Sequence, residues 1–361
     1  MAATFATAPV LVSDPVTVST TVACLSPRMM CHRIPKGARL WCNVIHRSLE
    51  MQTYVSRRKP SICTCSQDSS RNTLKCEPED DREILANGNS PVKGGIVALG
   101  KFDALHIGHR ELAVQASMAG PPFLLSFVGM AEVLGWEPRA PIVANCDRKR
   151  VLSSWASHCG NVAPQEFQME FSSVRSLSPR QFVEKLVKQF GLRGVVAGEN
   201  YRFGYRASGD ASELVRLCNE YGINAYIINP VMDKNQDIKN IEHLDAKERG
   251  QVSSTRVRYA LDNGDMSYVS KLVGRPHRLI FRLQDLDTQY INHGQAISVP
   301  KSCLLNLPPK EGRYENCSFL VSEENPIPCS VIIDSENIRL EFDDQVYPHR
   351  DFSTFGVEFG A

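Results

Sequence analysis

No stretch of this 361-residue sequence approaches the roughly 18–20 uninterrupted apolar residues that a membrane-spanning helix needs, so no bilayer-crossing helix and no membrane partner is expected. The twelve cysteines contain no Cys-x-x-Cys pair, which removes the usual spacing of a zinc site or a redox dithiol. Six of them fall at or before residue 76, and the other six are widely spaced. That distribution resembles no disulfide scaffold, and the cysteines read as small buried hydrophobes in a reducing compartment. Acidic residues are nearly missing from the start. Residues 1–75 hold ten Lys/Arg against three Asp/Glu, and the first charge is Asp14. The overall charge of +1 therefore hides +7 there and −6 over residues 76–361. A negative folded part argues against nucleic acid as a partner, because a phosphate backbone demands a basic surface.

The whole chain is 42% hydrophobic and 22% charged, the composition of a soluble globular protein. Residues 1–75 are rich in Ser and Thr, poor in acid, and carry arginines only from Arg28 onward, which reads as an organelle transit peptide. The uncharged Ala/Thr-rich beginning favours a plastid, so the chloroplast stroma is the expected location. Residues 76–94 are acidic and broken by Gly and Pro, as a linker is. Ile96–Leu99 is then a continuous apolar run suited to a strand buried on both faces. A turn, a helix from His109 to Met118 and the apolar run Phe123–Val128 complete a βαβ unit. The alternation returns with a helix opened by Ser178-Pro179, a strand over Gly194–Ala197, a helix over Ala211–Tyr221, a strand over Ala225–Ile228 and a helix opening at Ser253. Residues 95–277 are thus expected to form a Rossmann-like α/β domain with a parallel sheet, binding ligand at the carboxyl ends of its strands. Residues 278–361 change to short strands with turns between them: Arg278–Leu283, Gln295–Val299, Ser318–Ser322, Ser330–Ile333 and Ile338–Phe342. A small antiparallel, barrel-like β domain is expected there.

Three motifs carry chemistry. Gly100-Lys101-Phe102-Asp103-Ala104-Leu105-His106-Ile107-Gly108-His109 lies between a buried strand and a helix start, where free N–H groups and the helix dipole favour an anion. Gly108 permits close approach of a phosphate, and His106 and His109 can donate to its oxygens as charge builds up. Ser253-Ser254-Thr255-Arg256-Val257-Arg258 places hydroxyls and arginines on one helical turn, suited to a departing pyrophosphate. Gly198-Glu199-Asn200-Tyr201-Arg202-Phe203-Gly204-Tyr205-Arg206 combines an amide, aromatics and arginines in a loop that could hold a flat ring, or could simply close over the core.

These strings, with Ser208-Gly209-Asp210 and Gly274-Arg275-Pro276, resemble in order and kind the bacterial-type FAD synthetases over residues 95–283. The chain looks like a plant plastid member. The resemblance implies transfer of AMP from ATP to FMN with Mg²⁺, giving FAD and pyrophosphate. It assigns ATP to Gly100, Phe102, Asp103, His106, Gly108, His109, Ser254, Thr255 and Arg256, with His106, His109 and Arg256 catalytic. Phe127, Asn200 and Phe203 would face the flavin, and no residue is assigned to a metal. Two departures stand out. The family commonly has Phe-x-Pro-His-Pro where this chain reads Phe127-Val128-Gly129-Met130-Ala131. Its riboflavin kinase barrel carries Pro-Thr-Ala-Asn, and the counterpart here is Pro300-Lys301-Ser302-Cys303. A degenerate barrel without kinase activity is expected. Two alternatives remain open: an adenylyltransferase for another phosphorylated acceptor, and a catalytically inactive flavin-binding protein.

Overall fold

The computed structural model describes residues 64–68, 71–77, 90–234, 250–283, 291–292, 296–321, 325–343 and 353–360. Most of the expected transit peptide and linker lies outside them. What is described there is a two-stranded antiparallel ribbon, β1 (Thr64–Asp68) with β2 (Arg71–Glu77), which straddles the expected boundary at residue 75.

β3 (Ile96–Leu99) is buried at all four positions and pairs in parallel with β4 (Pro122–Val128) on one side and β6 (Gly194–Gly198) on the other. β5 (Gln165–Glu170) extends the sheet beside β4, and β7 (Asn224–Ile228) extends it beside β6. The five strands lie in the order β5-β4-β3-β6-β7. The order of strands across the sheet reverses at β3, and such folds bind ligands outside the carboxyl end of that point. The expected α/β fold holds, but β5 falls where no strand was read.

The helices are α1 (Ile107–Ala119), the short α2 (Met130–Leu134), α3 (Arg148–Ser154), α4 (Pro179–Glu184), α5 (Ala211–Glu220), α6 (Ser254–Asn263) and α7 (Met266–Val273). Their starts follow local chemistry. Ser178 and Gln181 form a reciprocal capping box with Pro179 in the first turn. Asp210, Ser253 and Asp265 each accept an N–H three residues on. α7 was not anticipated, although Asp265 is a readable cap.

The remaining strands, β8 (Arg278–Arg282), β9 (Ile291–Asn292), β10 (Ala296–Pro300), β11 (Gly312–Leu320), β12 (Ile327–Ile333), β13 (Asn337–Glu341) and β14 (Thr354–Phe359), form one antiparallel sheet in the order β8-β14-β11-β12-β13-β10-β9. It curls until the segment after β10 covers the free edge of β8: Leu304 bridges Phe281, and the Leu305 N–H donates to the Ile280 carbonyl at 2.9 Å. This is the expected barrel-like domain, with β14 unforeseen.

One hydrophobic core runs through both sheets. Ala98, Leu124, Val257 and Leu272 belong to the same buried cluster as Phe281, Val299, Phe319 and Phe355. The Asn306 carboxamide fastens the junction, accepting from the Ile280 N–H at 2.9 Å and donating to the carbonyls of Ile142 at 3.0 Å and Arg278 at 2.9 Å. Six cysteines of the described part, from Cys146 to Cys329, are buried as expected.

Candidate active site

The turn after β3 bends through Leu105, a buried leucine at φ +45, where L residues with a Cβ are strained. Two arginines hold it there. Arg275 donates to the Ala104 carbonyl at 3.1 Å and the Leu105 carbonyl at 2.7 Å. Arg148 donates to the Phe102 carbonyl at 2.8 Å. Both clamps draw negative carbonyls to themselves, leaving the N–H side of the turn for an anion. Arg148 is itself fixed by a bidentate pair with Glu166 of β5, at 2.7 and 2.6 Å, and Ser126 donates to the same carboxylate. Asp103 accepts from Arg258 of α6 at 2.8 Å and from the Ile142 N–H at 3.3 Å, tying the turn to α6. Asp103 is thereby committed to holding the turn. Phe102 is buried with its ring edge against His109, at 5.0 Å between centroids.

His106 occupies the N-cap of α1, and its Nδ1 accepts from the His109 N–H at 3.3 Å. A nitrogen that accepts carries no proton, so the neutral ring bears its proton on Nε2. The His106 and His109 rings stack 3.6 Å apart at 18°. A Cβ at Gly108 would sit 3.2 Å from the His106 ring, so glycine lets the stack form as well as opening the backbone. Both imidazoles are buried. Burial, followed by the Arg275 charge, pushes His106 down to about 4. Burial, then His106, Arg148 and Arg275, holds His109 well below its ordinary value. Both are therefore neutral near pH 7 and donate as N–H groups rather than as imidazolium. His109 Nδ1 is buried with no hydrogen-bond partner among the described residues.

Arg256 lies in the first turn of α6, below Ser254, which is half-buried, and Thr255, which is exposed. Its Nη1 donates to Asp233 at 3.2 Å, while Nε and Nη2 are buried without partner among the described residues. Val231, at the root of the same segment as Asp233, stands 3.9 Å from where a Gly108 Cβ would lie. α6 therefore meets the histidine turn through Arg258 on Asp103, and the segment carrying Asp233 meets it through Val231.

Around the residues expected to face the flavin the arrangement is looser. Phe127 is half-buried at the end of β4, 5.9 Å from the Phe171 ring. Asn200 is exposed at the end of β6. Phe203 lies inward, packed on Phe182 and Tyr201, with the 203–209 turn closed by a bridge to Gly209. Its ring belongs to the core and supports the loop from beneath. Where the family commonly has Pro-His-Pro, the chain forms the short, half-buried α2 between left-handed Gly129 and Gly135. The Lys101 ammonium sits 4.8 Å over the neighbouring Trp136 ring. Sequence reading missed Arg148, Glu166, Asp233 and Tyr268. Each acts through a partner distant in the chain, and only Arg275 had a signal, in its Gly-Arg-Pro string.

A pH dependence follows. His106 and His277, which donates toward the Leu307 carbonyl at 3.1 Å, are both held by burial to about 4. The unfolded chain then takes up protons first as pH falls below the ordinary 6.5. Stability is full above that value and drains toward pH 4. Between pH 7 and 5 the loss should be on the order of 2 kcal/mol for each ring. Urea midpoints at the two pH values measure it, and equal midpoints would contradict this assignment.

Residues 89–241 match the family described as FAD synthetase, and residues 276–361 match the FAD synthetase 1/2 C-terminal domain. The sequence is 62% identical over 288 residues to FAD synthetase 1, chloroplastic, of Arabidopsis thaliana, covering 78% of this chain and 81% of that one. The chain belongs to the FAD synthetase family. FAD synthetase 2, chloroplastic, of the same plant is also 62% identical, over 78% of this chain and 77% of its own. A bifunctional riboflavin kinase/FMN adenylyltransferase of Escherichia coli K12 is more distant, 26% identical over 68% of this chain and 75% of its own. Membership makes the chain an FMN adenylyltransferase, the enzyme class expected from its motifs. A crystal structure titled macrolide-efflux protein, from Streptococcus pneumoniae, superposes on 74% of this FAD synthetase and 92% of itself, with TM-score 0.55 and 22% identity. At that identity the likeness speaks to the fold alone.

Proposed function

We infer that this FAD synthetase has one activity, joining the AMP of MgATP to FMN with release of pyrophosphate, and that it leaves riboflavin unphosphorylated. The observation that carries the transfer is a buried imidazole nitrogen and a buried guanidinium edge on two elements, His109 Nδ1 and the Nε/Nη2 edge of Arg256, with no hydrogen-bond partner among the described residues. Unsatisfied buried polar groups are costly, and a triphosphate supplies acceptors.

An FMN phosphate oxygen attacks the α-phosphorus of ATP, one P–O bond forms, and the bond to pyrophosphate breaks. The attacking phosphate has a second pKa of about 6 and needs no general base. His106 through Nε2, His109 and the N-terminus of α1 bind the transferring phosphoryl, while Arg256, with Ser254 and Thr255 beside it, holds the leaving group. The clamped turn supplies alignment, worth several kcal/mol in reactions of this type. Mg²⁺ bound with the nucleotide would neutralise part of the phosphate charge. Among the described residues no three His, Cys, Asp or Glu side chains converge, and no residue is assigned to the metal. Phe127 and Asn200 face the flavin, with Phe203 as support.

The barrel supports a single activity. At the counterpart of the kinase motif, Lys301 pairs with Glu311 at 3.3 Å and Cys303 is buried, and neither is the Thr or the Asn of the family's motif. The plastid reading rests on the composition of residues 1–75 and on two relatives named chloroplastic. The test is pyrophosphate release with FMN and riboflavin as parallel acceptors. FMN should yield FAD and pyrophosphate, and riboflavin should yield no FMN. Phosphorylated riboflavin would overturn the single-activity reading, and no pyrophosphate with FMN would overturn the transfer itself.

A further inference from the structure

Arg256 is one corner of a closed polar triangle. Its Nη1 donates to Asp233 Oδ2 at 3.2 Å and to the Tyr268 hydroxyl at 3.3 Å, and that hydroxyl donates in turn to the same Asp233 oxygen. The corners come from three elements. Asp233 sits on a short ladder between the end of β7 and the start of α6, where its N–H donates to the Gly250 carbonyl at 2.7 Å and Val252 donates to the Val231 carbonyl at 2.9 Å. Arg256 is in the first turn of α6, its own N–H accepted by Ser253. Tyr268 is in the first turn of α7, its N–H accepted by Asp265 at 2.9 Å. The Arg256 and Asp233 side chains are only 4% and 2% exposed.

A guanidinium has two useful edges. With Nη1 occupied by the triangle, the remaining Nε and Nη2 form the parallel fork that matches two oxygens of one phosphate. That fork is the part of Arg256 that lacks a partner among the described residues. We propose that Asp233 and Tyr268 are positioning residues that turn the Nε/Nη2 fork of Arg256 onto the leaving pyrophosphate. The proposal rests on the phosphate-binding reading given above.

The triangle does two things at once. Asp233 offsets the Arg256 charge before nucleotide arrives, so the cation is tolerated in a dry site. Tyr268 donates to Asp233 and accepts from Arg256, so swinging the planar guanidinium about its Cδ–Nε bond would break two hydrogen bonds together. The fork is then preorganised for negative charge that grows on the leaving group, the condition under which a fixed donor helps most.

Tyr268→Phe and Asp233→Asn, each in the full chain, test this with inorganic pyrophosphate as the probe. Each should weaken product inhibition by pyrophosphate and raise KM for ATP by about ten-fold, the effect of one hydrogen bond to a charged group. KM for FMN should stay within about two-fold, since in this assignment the Arg256 fork holds the leaving group and not the acceptor. Unchanged inhibition, or equal losses for ATP and FMN, would overturn the proposal. Arg256→Lys, which keeps charge but loses the fork, separates the two levels. If it binds pyrophosphate normally, the phosphate-binding reading falls. If it binds weakly while Tyr268→Phe and Asp233→Asn do not, only the positioning role falls. Tyr268→Phe removes one oxygen and keeps the ring, so it decides the matter even if Asp233→Asn fails to fold.

Discussion

Replacing His109 by alanine is expected to lower turnover by about a hundred- to a thousand-fold, the cost of deleting one preorganised donor to a developing charge. The same change should leave stability within about 1 kcal/mol, which is unusual for a buried residue. The reason is the state of His109 in the fold. Its Nδ1 is buried without partner among the described residues, and burial with nearby arginine charge holds the ring neutral. Removing an unsatisfied polar group relieves a desolvation penalty that partly offsets the lost packing against Phe102 and His106. Steady-state pyrophosphate release beside a thermal melt measures both quantities. A variant with full turnover would end the phosphoryl-binding role. One that is inactive because it unfolds would show that His109 holds the turn together instead.

The second large effect should fall on stability. Arg148 and Glu166 have side chains only 10% and 12% exposed and meet at 2.6 Å. Arg148→Met strands the Glu166 carboxylate and frees the Phe102 carbonyl, and should cost about 3–5 kcal/mol, as breaking a buried ion pair does. Arg148→Met with Glu166→Met removes both charges and should recover most of that loss. Activity should not return with it, because nothing then holds the Phe102 carbonyl. Denaturant titration and turnover on the three variants give the answer. Full activity in the double variant would show that the clamp is dispensable.

Much of the fold is legible because its signals are local. Ile96–Leu99 is apolar at every position because it is buried on both faces, and Ser178-Pro179 and Ser253 name their own helix starts. β5 was hidden by its composition. Gln165–Glu170 is an edge strand, and Glu166 gives it a polar residue facing Arg148 in place of an apolar one. The chemistry divides in the same way. His106, Gly108 and His109 share one turn and could be read together. Arg275 reaches the Leu105 carbonyl across 170 residues, and Tyr268 reaches Asp233 across 35, so no spacing announces either. Phe203 shows a further limit. An aromatic in a loop reads alike whether it faces a ligand or fills the core, and only packing on Phe182 and Tyr201 decides for the core.

Asn306 and the buried cluster that it fastens bear on how such a protein can be taken apart. A chain cut before β8 would lose Leu279, Phe281 and Phe355 from the cluster that also contains Ala98 and Val257, and Ile142 would lose the donor to its carbonyl. The nucleotidyl half would then present part of its own interior to water. The two halves are therefore not interchangeable cassettes. The barrel has to be inherited whole, and grafting this nucleotidyl half onto another module means rebuilding one wall of its core.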